Sequence, residues 1–299
     1  MTKRTIQQRL RQKTPVLLDG AMGTEILNRG HDTKLPLWSA EVLMDHPEVV
    51  QQIHEDYIAA GAEIVVTNTF STTEWVLDKK GLGKQARDLT LLACRLAHQA
   101  RNAARADHEV YIAGSIAPLE DCYSPELTPS QTVLEREHAK LAGDLKDGGV
   151  DFILLETHIT IRETVAAARA AKAVGLPIAV CFCCNEKGEL LSGESLGEAL
   201  RAIEDFKPLF VGVNCVPITV ATKVLFLLKQ LTTLPVAVYA QADGGPDDDQ
   251  GWKFAAATSV KERYVVAARE WLKSGAQVIG SCCGSTPVYT TKLKELIAE

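Results

Sequence analysis

The sequence predicts a single-domain α/β protein of the (β/α)8 class, a TIM barrel spanning residues 1–299. Three observations predict it: eight short apolar runs of strand character, amphipathic helical stretches alternating strictly with them, and no Ser/Pro/Gly-rich linker anywhere between. Runs rich in Val, Ile, Leu and Ala without polar alternation belong to strands buried on both faces, as in a parallel sheet covered by helices. An open doubly wound sheet shares the alternation. Eight units closed by a last helix, Pro287 to Ala298, fit a barrel better than an open sheet with a second domain.

Taken in order, the first run, Pro15 to Leu18, leads into Asp19-Gly20-Ala21-Met22-Gly23-Thr24. This segment lacks the glycine spacing of a phosphate loop and reads as a tight strand-to-helix turn, with Asp19 either a helix N-cap or a substrate contact. Helix Pro47 to Ala60 precedes the second run, Glu63 to Thr67, which continues into Asn68-Thr69-Phe70. Helix Gln85 to Ala106 precedes the third, Val110 to Ala113, followed by Gly114-Ser115-Ile116-Ala117-Pro118. Helix Gln131 to Asp147 precedes the fourth, Phe152 to Leu155, which ends in Glu156-Thr157. Ile161 to Val174 leads to the fifth run, Pro177 to Phe182, and Ser195 to Phe206 to the sixth, Leu209 to Val213, ending in Asn214-Cys215. Val220 to Leu231 precedes the seventh, Pro235 to Tyr239, and Val260 to Lys273 the eighth, Gln277 to Gly280, which ends in Ser281-Cys282-Cys283-Gly284. Gly61, Gly148, Gly175 and Gly275 stand where helices should stop before the next strand. The stretch from Asp243 to Gly251 breaks regular structure and reads as a solvated acidic loop in preference to a hard-cation site, because no second carboxylate cluster accompanies it.

Composition narrows the function. With 46% hydrophobic and 23% charged residues the chain is an ordinary globular one, and its net charge of -6 is spread without a basic run that could track phosphates. Nucleic acid is not an expected partner. The polar, basic N-terminus lacks the apolar core of a secretion signal, and no stretch reaches the roughly 18 apolar residues of a membrane span, so a cytoplasmic protein is expected. In that compartment eight cysteines are thiols or metal ligands more readily than disulfides.

A barrel gathers its chemistry at the C-terminal ends of the strands, where this chain places its reactive residues. Thiolates are soft ligands for zinc, and a catalytic zinc takes three protein ligands and leaves one position open. Cys215, Cys282 and Cys283 could form such a set: strands six and eight flank strand seven, so their ends lie roughly 10 Å apart. Neighbouring side chains of a regular strand point to opposite faces, so Gly280 and Gly284 are expected to turn the backbone and bring Cys282 and Cys283 to one side. On spacing alone these cysteines read more often as small buried hydrophobes. Cys94 and the group Cys181, Cys183 and Cys184 read as packing residues, Cys122 is open, and the histidines, none of them paired at metal-ligand spacing, read as surface or packing residues. Glu156, ending a buried strand, needs a partner, either an internal cation or a substrate ammonium.

Together, Asp19-Gly20-Ala21-Met22-Gly23-Thr24, Thr67-Asn68-Thr69-Phe70, Glu156-Thr157, Gly212-Val213-Asn214-Cys215 and Cys282-Cys283-Gly284-Ser285-Thr286-Pro287 resemble the homocysteine S-methyltransferase family, in the family's order and over nearly the whole chain. The resemblance implies a (β/α)8 barrel with one zinc ion, Zn2+, held by Cys215, Cys282 and Cys283. It implies that Glu156 receives the homocysteine amino group and that Asp19, Gly20 and Thr67 help line the homocysteine site. Three positions depart from the pattern. Relatives often carry Gly-Gly-Cys-Cys-Gly, Tyr-Pro-Asn and Gly-Ser-Val-Gly-Pro where this chain has Gly280-Ser281-Cys282-Cys283-Gly284, Tyr239-Ala240-Gln241 and Gly114-Ser115-Ile116-Ala117-Pro118. None removes a ligand, but all lie near the active face and bear on the identity of donor and acceptor.

The implied reaction moves a methyl group from a small donor to homocysteine, giving methionine. The chain ends soon after its eighth unit, without room for cobalamin and folate modules or for the C-terminal extension typical of betaine-dependent relatives, so S-methylmethionine or S-adenosylmethionine is the favoured donor. Two alternatives stand beside this: a betaine-type donor, and a homocysteine-binding half that depends on a corrinoid protein as partner. A non-catalytic barrel that binds thiols or stores zinc is a third.

Overall fold

The computed structural model describes residues 4–104, 106–242, 244–247, 251–253 and 260–299. Its strands are β1 (Val16–Leu17), β2 (Ile64–Val66), β3 (Tyr111–Ile116), β4 (Phe152–His158), β5 (Ile178–Phe182), β6 (Val211–Asn214), β7 (Val236–Tyr239), β8 (Gly245–Asp247), β9 (Gly251–Lys253) and β10 (Val278–Ile279). Eight of these form one parallel sheet in the order β1-β10-β7-β6-β5-β4-β3-β2. The two ends of that order meet: Leu18 bridges Ile64 in parallel, the Glu63 amide donates to the Leu17 carbonyl at 2.8 Å, and the Asp19 amide to the Ile64 carbonyl at 2.9 Å. The sheet therefore closes on itself as the eight-unit pattern predicts.

Both faces of the barrel wall are apolar for a simple reason. Val16, Leu18, Phe152, Leu154, Ala237 and Val278 belong to one buried cluster, the barrel interior. Their chain neighbours Leu17, Ile153, Leu155, Val236, Val238 and Ile279 belong to another, shared with the surrounding helices. Successive side chains point to opposite faces, so burial on both sides removes polar alternation from the sequence. Inside, Phe152 and Phe210 meet edge-on with ring centroids 6.1 Å apart. Each such buried side chain is worth about 1.5–3 kcal/mol against exposure. A short helix, Ile6–Leu10, adds Ile6 and Leu10 to the interior cluster. Thr5 and Gln8 close its first turn as a reciprocal cap, and Arg9 ties it to the wall through Glu63 at 2.6 Å.

The expected long helices are present, among them Pro47–Ala59, Ala86–Ala103, Gln131–Asp147 and Ile161–Ala173. Four short ones were not legible: Ile6–Leu10 precedes the first strand, Met22–Asn28, Ala40–Asp45 and Glu74–Asp78 lie in the first two βα connections, and all are too brief to display a helical period. Strands β3 and β4 run on past their apolar stretches to Ile116 and His158, because polar residues at the wall's rim stay paired in the sheet. His158 is thus a buried strand residue. The segment expected to be irregular after β7 contains an antiparallel hairpin, β8 against β9. Asp243, Asp248 and Asp249, on which an acidic loop or cation site would depend, lie outside the described residues.

Candidate functional site

A cavity opens at the C-terminal end of the barrel, walled by the residues that follow β1, β2, β6 and β10 and by the end of β4. Register explains why the cysteines arrive together. Val213 of β6 pairs with Val238 of β7, which pairs with Ile279 of β10, so the chains on either side of β7 leave the sheet at one level. Past these ends the backbone departs from strand geometry. Cys215 has φ +51°, in the left-handed region, while its amide still bonds the Tyr239 carbonyl at 3.2 Å. Across β7, the Cys282 amide bonds the Ala240 carbonyl at 2.8 Å, and the Cys283 carbonyl accepts from the Ala242 amide at 2.8 Å.

Cys282 and Cys283 share the site because the chain turns there. Gly284 has φ +82° and donates its amide to Thr24 Oγ1 at 2.9 Å. Gly280 serves differently from the expected turn: its φ is ordinary, but a Cβ there would stand 2.8 Å from Leu18 Cβ and 3.0 Å from the Asp19 carbonyl oxygen. It permits close approach of β10 to β1.

The three sulfurs of Cys215, Cys282 and Cys283 all lie within 4.8 Å of one another, and Cys215 and Cys283 are 3.6 Å apart. None of the eight cysteines forms a disulfide. Hydrogen bonds from Cys282 and Cys283 hold the Cys215 thiol well below its ordinary range. The same sharing, together with burial, pushes Cys282 and Cys283 up. Three convergent thiols with one easily ionised member suit a soft divalent ion. The packing residues Cys94, Cys181, Cys183 and Cys184 are buried, whereas Cys122 lines the cavity.

Glu156 faces the same cavity from β4. The strand's register slips between Leu155 and His158, and Thr157 adopts φ +58°, a costly conformation for a β-branched residue. The Thr157 amide is held there by Asn214 Oδ1 at 2.9 Å, tying the end of β4 to the residue beside Cys215. Ser115 Oγ donates to Glu156 Oε1 at 2.5 Å. Burial raises the Glu156 carboxyl to about 7, against the effect of Ser115 and helped by the nearby Cys215 charge. Asp19 is likewise raised well above the usual carboxylate range, first by burial, although the Val66 amide donates to its Oδ2 at 2.8 Å, and the neighbouring Glu156 charge adds to the rise. Two buried carboxyls face one cavity whose lining holds no Lys, Arg or His among the described residues, an arrangement that could take up an ammonium group.

Gly20 and Thr67 also line the cavity. A Cβ on Gly20 would stand 2.8 Å from both Ser285 Oγ and Tyr57 Oη, so its role in the turn is close packing. The Thr67 hydroxyl is already engaged, accepting from the Ser115 amide at 3.1 Å and meeting Thr69 Oγ1 at 2.8 Å. It braces the loop after β2.

Several cavity residues were not singled out by the sequence as site residues, although Phe70, Thr157 and Ser281 stand within the strand-end motifs. Trp38 and Phe70 stand in its wall with ring centroids 6.4 Å apart. Tyr123, in the long polar loop after β3, places Oη 3.3 Å from Cys215 Sγ and accepts from Gln241 Nε2 at 3.0 Å. The hydroxyls of Thr157 and Ser281 are buried in the cavity wall without a hydrogen-bond partner among the described residues. Cys122-Tyr123 carries no periodic or motif signal, so only spatial proximity could have singled it out.

The sequence pattern of the family described as homocysteine S-methyltransferase matches residues 16–297. Homocysteine S-methyltransferase YbgG of Bacillus subtilis is 29% identical over 289 residues, covering 91% of each chain. The crystal structure of the homocysteine methyltransferase MmuM from Escherichia coli in its oxidized form superposes with a TM-score of 0.86 at 26% identity, covering 98% of this chain and 99% of that one. Its metallated form gives 0.83 at 28% identity, covering 96% and 98%.

Proposed function

This chain belongs to the homocysteine S-methyltransferase family, and on that premise we propose that it transfers a methyl group from a small sulfonium donor to homocysteine, with zinc held by Cys215, Cys282 and Cys283. The observation that carries the reading is the convergence of those three sulfurs within 4.8 Å at the mouth of the barrel. Bound there, zinc supplies a substrate sulfur ionised at neutral pH, where a free thiol, titrating near 8.5, is mostly protonated.

The remaining work falls to the chain's own side chains. Glu156 and Asp19 receive the homocysteine ammonium, and the accepted positive charge offsets the burial that raises both carboxyls. Anchoring the amino acid at one end and its sulfur at the other fixes the direction from which a methyl group must approach, which is the chief requirement of a displacement at carbon. Trp38 and Phe70 offer aromatic faces suited to a compact cation such as a sulfonium. The sulfur–methyl bond forms as the donor's carbon–sulfur bond breaks, the electron pair stays on the donor sulfur, and the thiol proton leaves to solvent. With S-methylmethionine both products are methionine. No helix among the described residues is long and apolar enough to cross a membrane.

The test is metal content by mass spectrometry on protein purified without chelator, beside a screen of S-methylmethionine, S-adenosylmethionine, betaine and a methylated corrinoid protein with homocysteine. About one zinc per chain, lost in Cys215→Ser, and turnover with a sulfonium support the reading. A wild type that takes up no zinc removes its mechanism. Turnover with betaine or the corrinoid protein alone replaces the donor.

A further inference from the structure

Tyr123 reaches the cysteine cluster from a loop that none of the recognisable motifs includes, and its hydrogen bonding can be worked out group by group. Its Oη lies 3.3 Å from Cys215 Sγ and 3.4 Å from the Cys215 carbonyl oxygen. Gln241 Nε2 lies 3.0 Å from that Oη and 3.1 Å from the same carbonyl oxygen. A carbonyl can only accept, so the amide nitrogen of Gln241, and not its oxygen, must face it. That nitrogen only donates, so at Tyr123 Oη it occupies an acceptor lone pair. The one phenolic proton is left to point at Cys215. There the carbonyl already accepts from Gln241 Nε2 and from Cys183 Sγ at 3.6 Å, which occupies both its lone pairs, while a ligand thiolate is a charged and stronger acceptor.

We propose that Tyr123 is a positioning residue, oriented by Gln241, that donates a hydrogen bond to Cys215 Sγ and keeps this ligand sulfur from competing with the substrate sulfur for the methyl group. The inference rests on the metal-thiolate reading above. A methyltransferase that activates a thiol among three cysteinates faces a problem of selectivity, since each ligand sulfur is itself a nucleophile near an electrophilic methyl. A hydrogen bond to a thiolate draws electron density from it and lowers its nucleophilicity, whereas an incoming thiol without such a donor retains its own. Cys215 is the ligand the geometry singles out for this protection, because the phenol of Tyr123 reaches its sulfur at 3.3 Å.

The experiment uses Tyr123→Phe, which removes one oxygen and keeps the ring, in the full-length chain loaded with Co2+ for spectroscopy and with zinc for alkylation by methyl iodide. In the variant the thiolate-to-cobalt charge-transfer band should move to longer wavelength, because the Cys215 lone pair is no longer stabilised. Peptide mass mapping should show Cys215 S-methylation, with iodide leaving as the carbon–sulfur bond forms, about tenfold faster than in wild type, a factor in the range expected for one hydrogen bond to a charged group. The half-buried Cys122 serves as the internal reference for reagent access. Gln241→Met, which frees the phenol to turn, should shift the band in the same direction by less, and it carries the test if the Phe variant fails to fold. An unchanged band in both variants overturns the proposal while leaving the metal site intact. A shifted band with an unchanged Cys215 methylation rate overturns the protective role. Absence of any thiolate-to-cobalt band in wild type overturns the metal reading, and this inference with it.

Discussion

Replacing Glu156 by Gln tests the substrate end of the site, because it keeps the shape of the side chain and its acceptor for Ser115 but removes the charge. A hydrogen bond to an ionised group contributes about 1.5–3 kcal/mol, so loss of the carboxylate should raise the homocysteine Kd by about 10- to 150-fold. The pH dependence is the sharper signature. In the ligand-free protein burial holds the Glu156 carboxyl at about 7. Below that pH the wild type must release a proton before it can receive an ammonium, so its affinity should fall by up to about tenfold per unit. The Gln variant lacks this proton, so its affinity should follow pH with one proton fewer. Stability carries the opposite sign. A carboxyl raised in the fold from its ordinary 4.5 to about 7 adds nothing unfavourable below pH 4.5, and its ionisation destabilises the fold as pH rises through 7. The ligand-free Gln variant should therefore gain about 2–4 kcal/mol above roughly pH 8 and nothing in acid. Calorimetric titration of zinc-loaded protein with homocysteine between pH 5.5 and 8.5, with thermal melts of the ligand-free form, measures both. Equal affinity and an equal pH slope in the two proteins would refute the assignment of the ammonium to Glu156.

Two further changes probe the frame around the site. Gly284→Ala places a Cβ at φ +82°, which should cost about 1–2 kcal/mol in denaturant melts and speed loss of metal to a chromophoric chelator, since the turn carrying Cys282 and Cys283 must shift. His54 is fully buried with neither ring nitrogen partnered among the described residues, and burial lowers it to about 4. Its neutral form supports the fold above its ordinary 6.5, and that support is lost as pH falls from there through 4. His54→Leu should therefore flatten the acid limb of the stability curve by up to about 3 kcal/mol, read from urea midpoints at pH 7 and pH 4.5, and an unchanged limb would reassign it to other groups.

What could be read along the chain was whatever burial repeats locally. The wall strands are apolar without interruption because Ile153 and Leu155 face helices while Phe152 and Leu154 face the barrel interior, and the helices between them show their period, so the eight-unit closed barrel was legible. Short motifs at strand ends, with Cys282-Cys283 last, were legible as a resemblance, while spacing alone left the same cysteines indistinguishable from packing residues. The tertiary structure decided the rest. It brought Cys215 to Cys282 and Cys283 across β7, set Asp19 beside Glu156, placed Cys215 and Thr157 in the left-handed region, and laid Tyr123 against the Cys215 sulfur with Gln241 bonded to its hydroxyl. The physical reason is range. Periodicity records which face of its own element a residue occupies, whereas Tyr123 and Cys215 stand 92 positions apart and meet only because closure of the barrel directs separate loops to one rim.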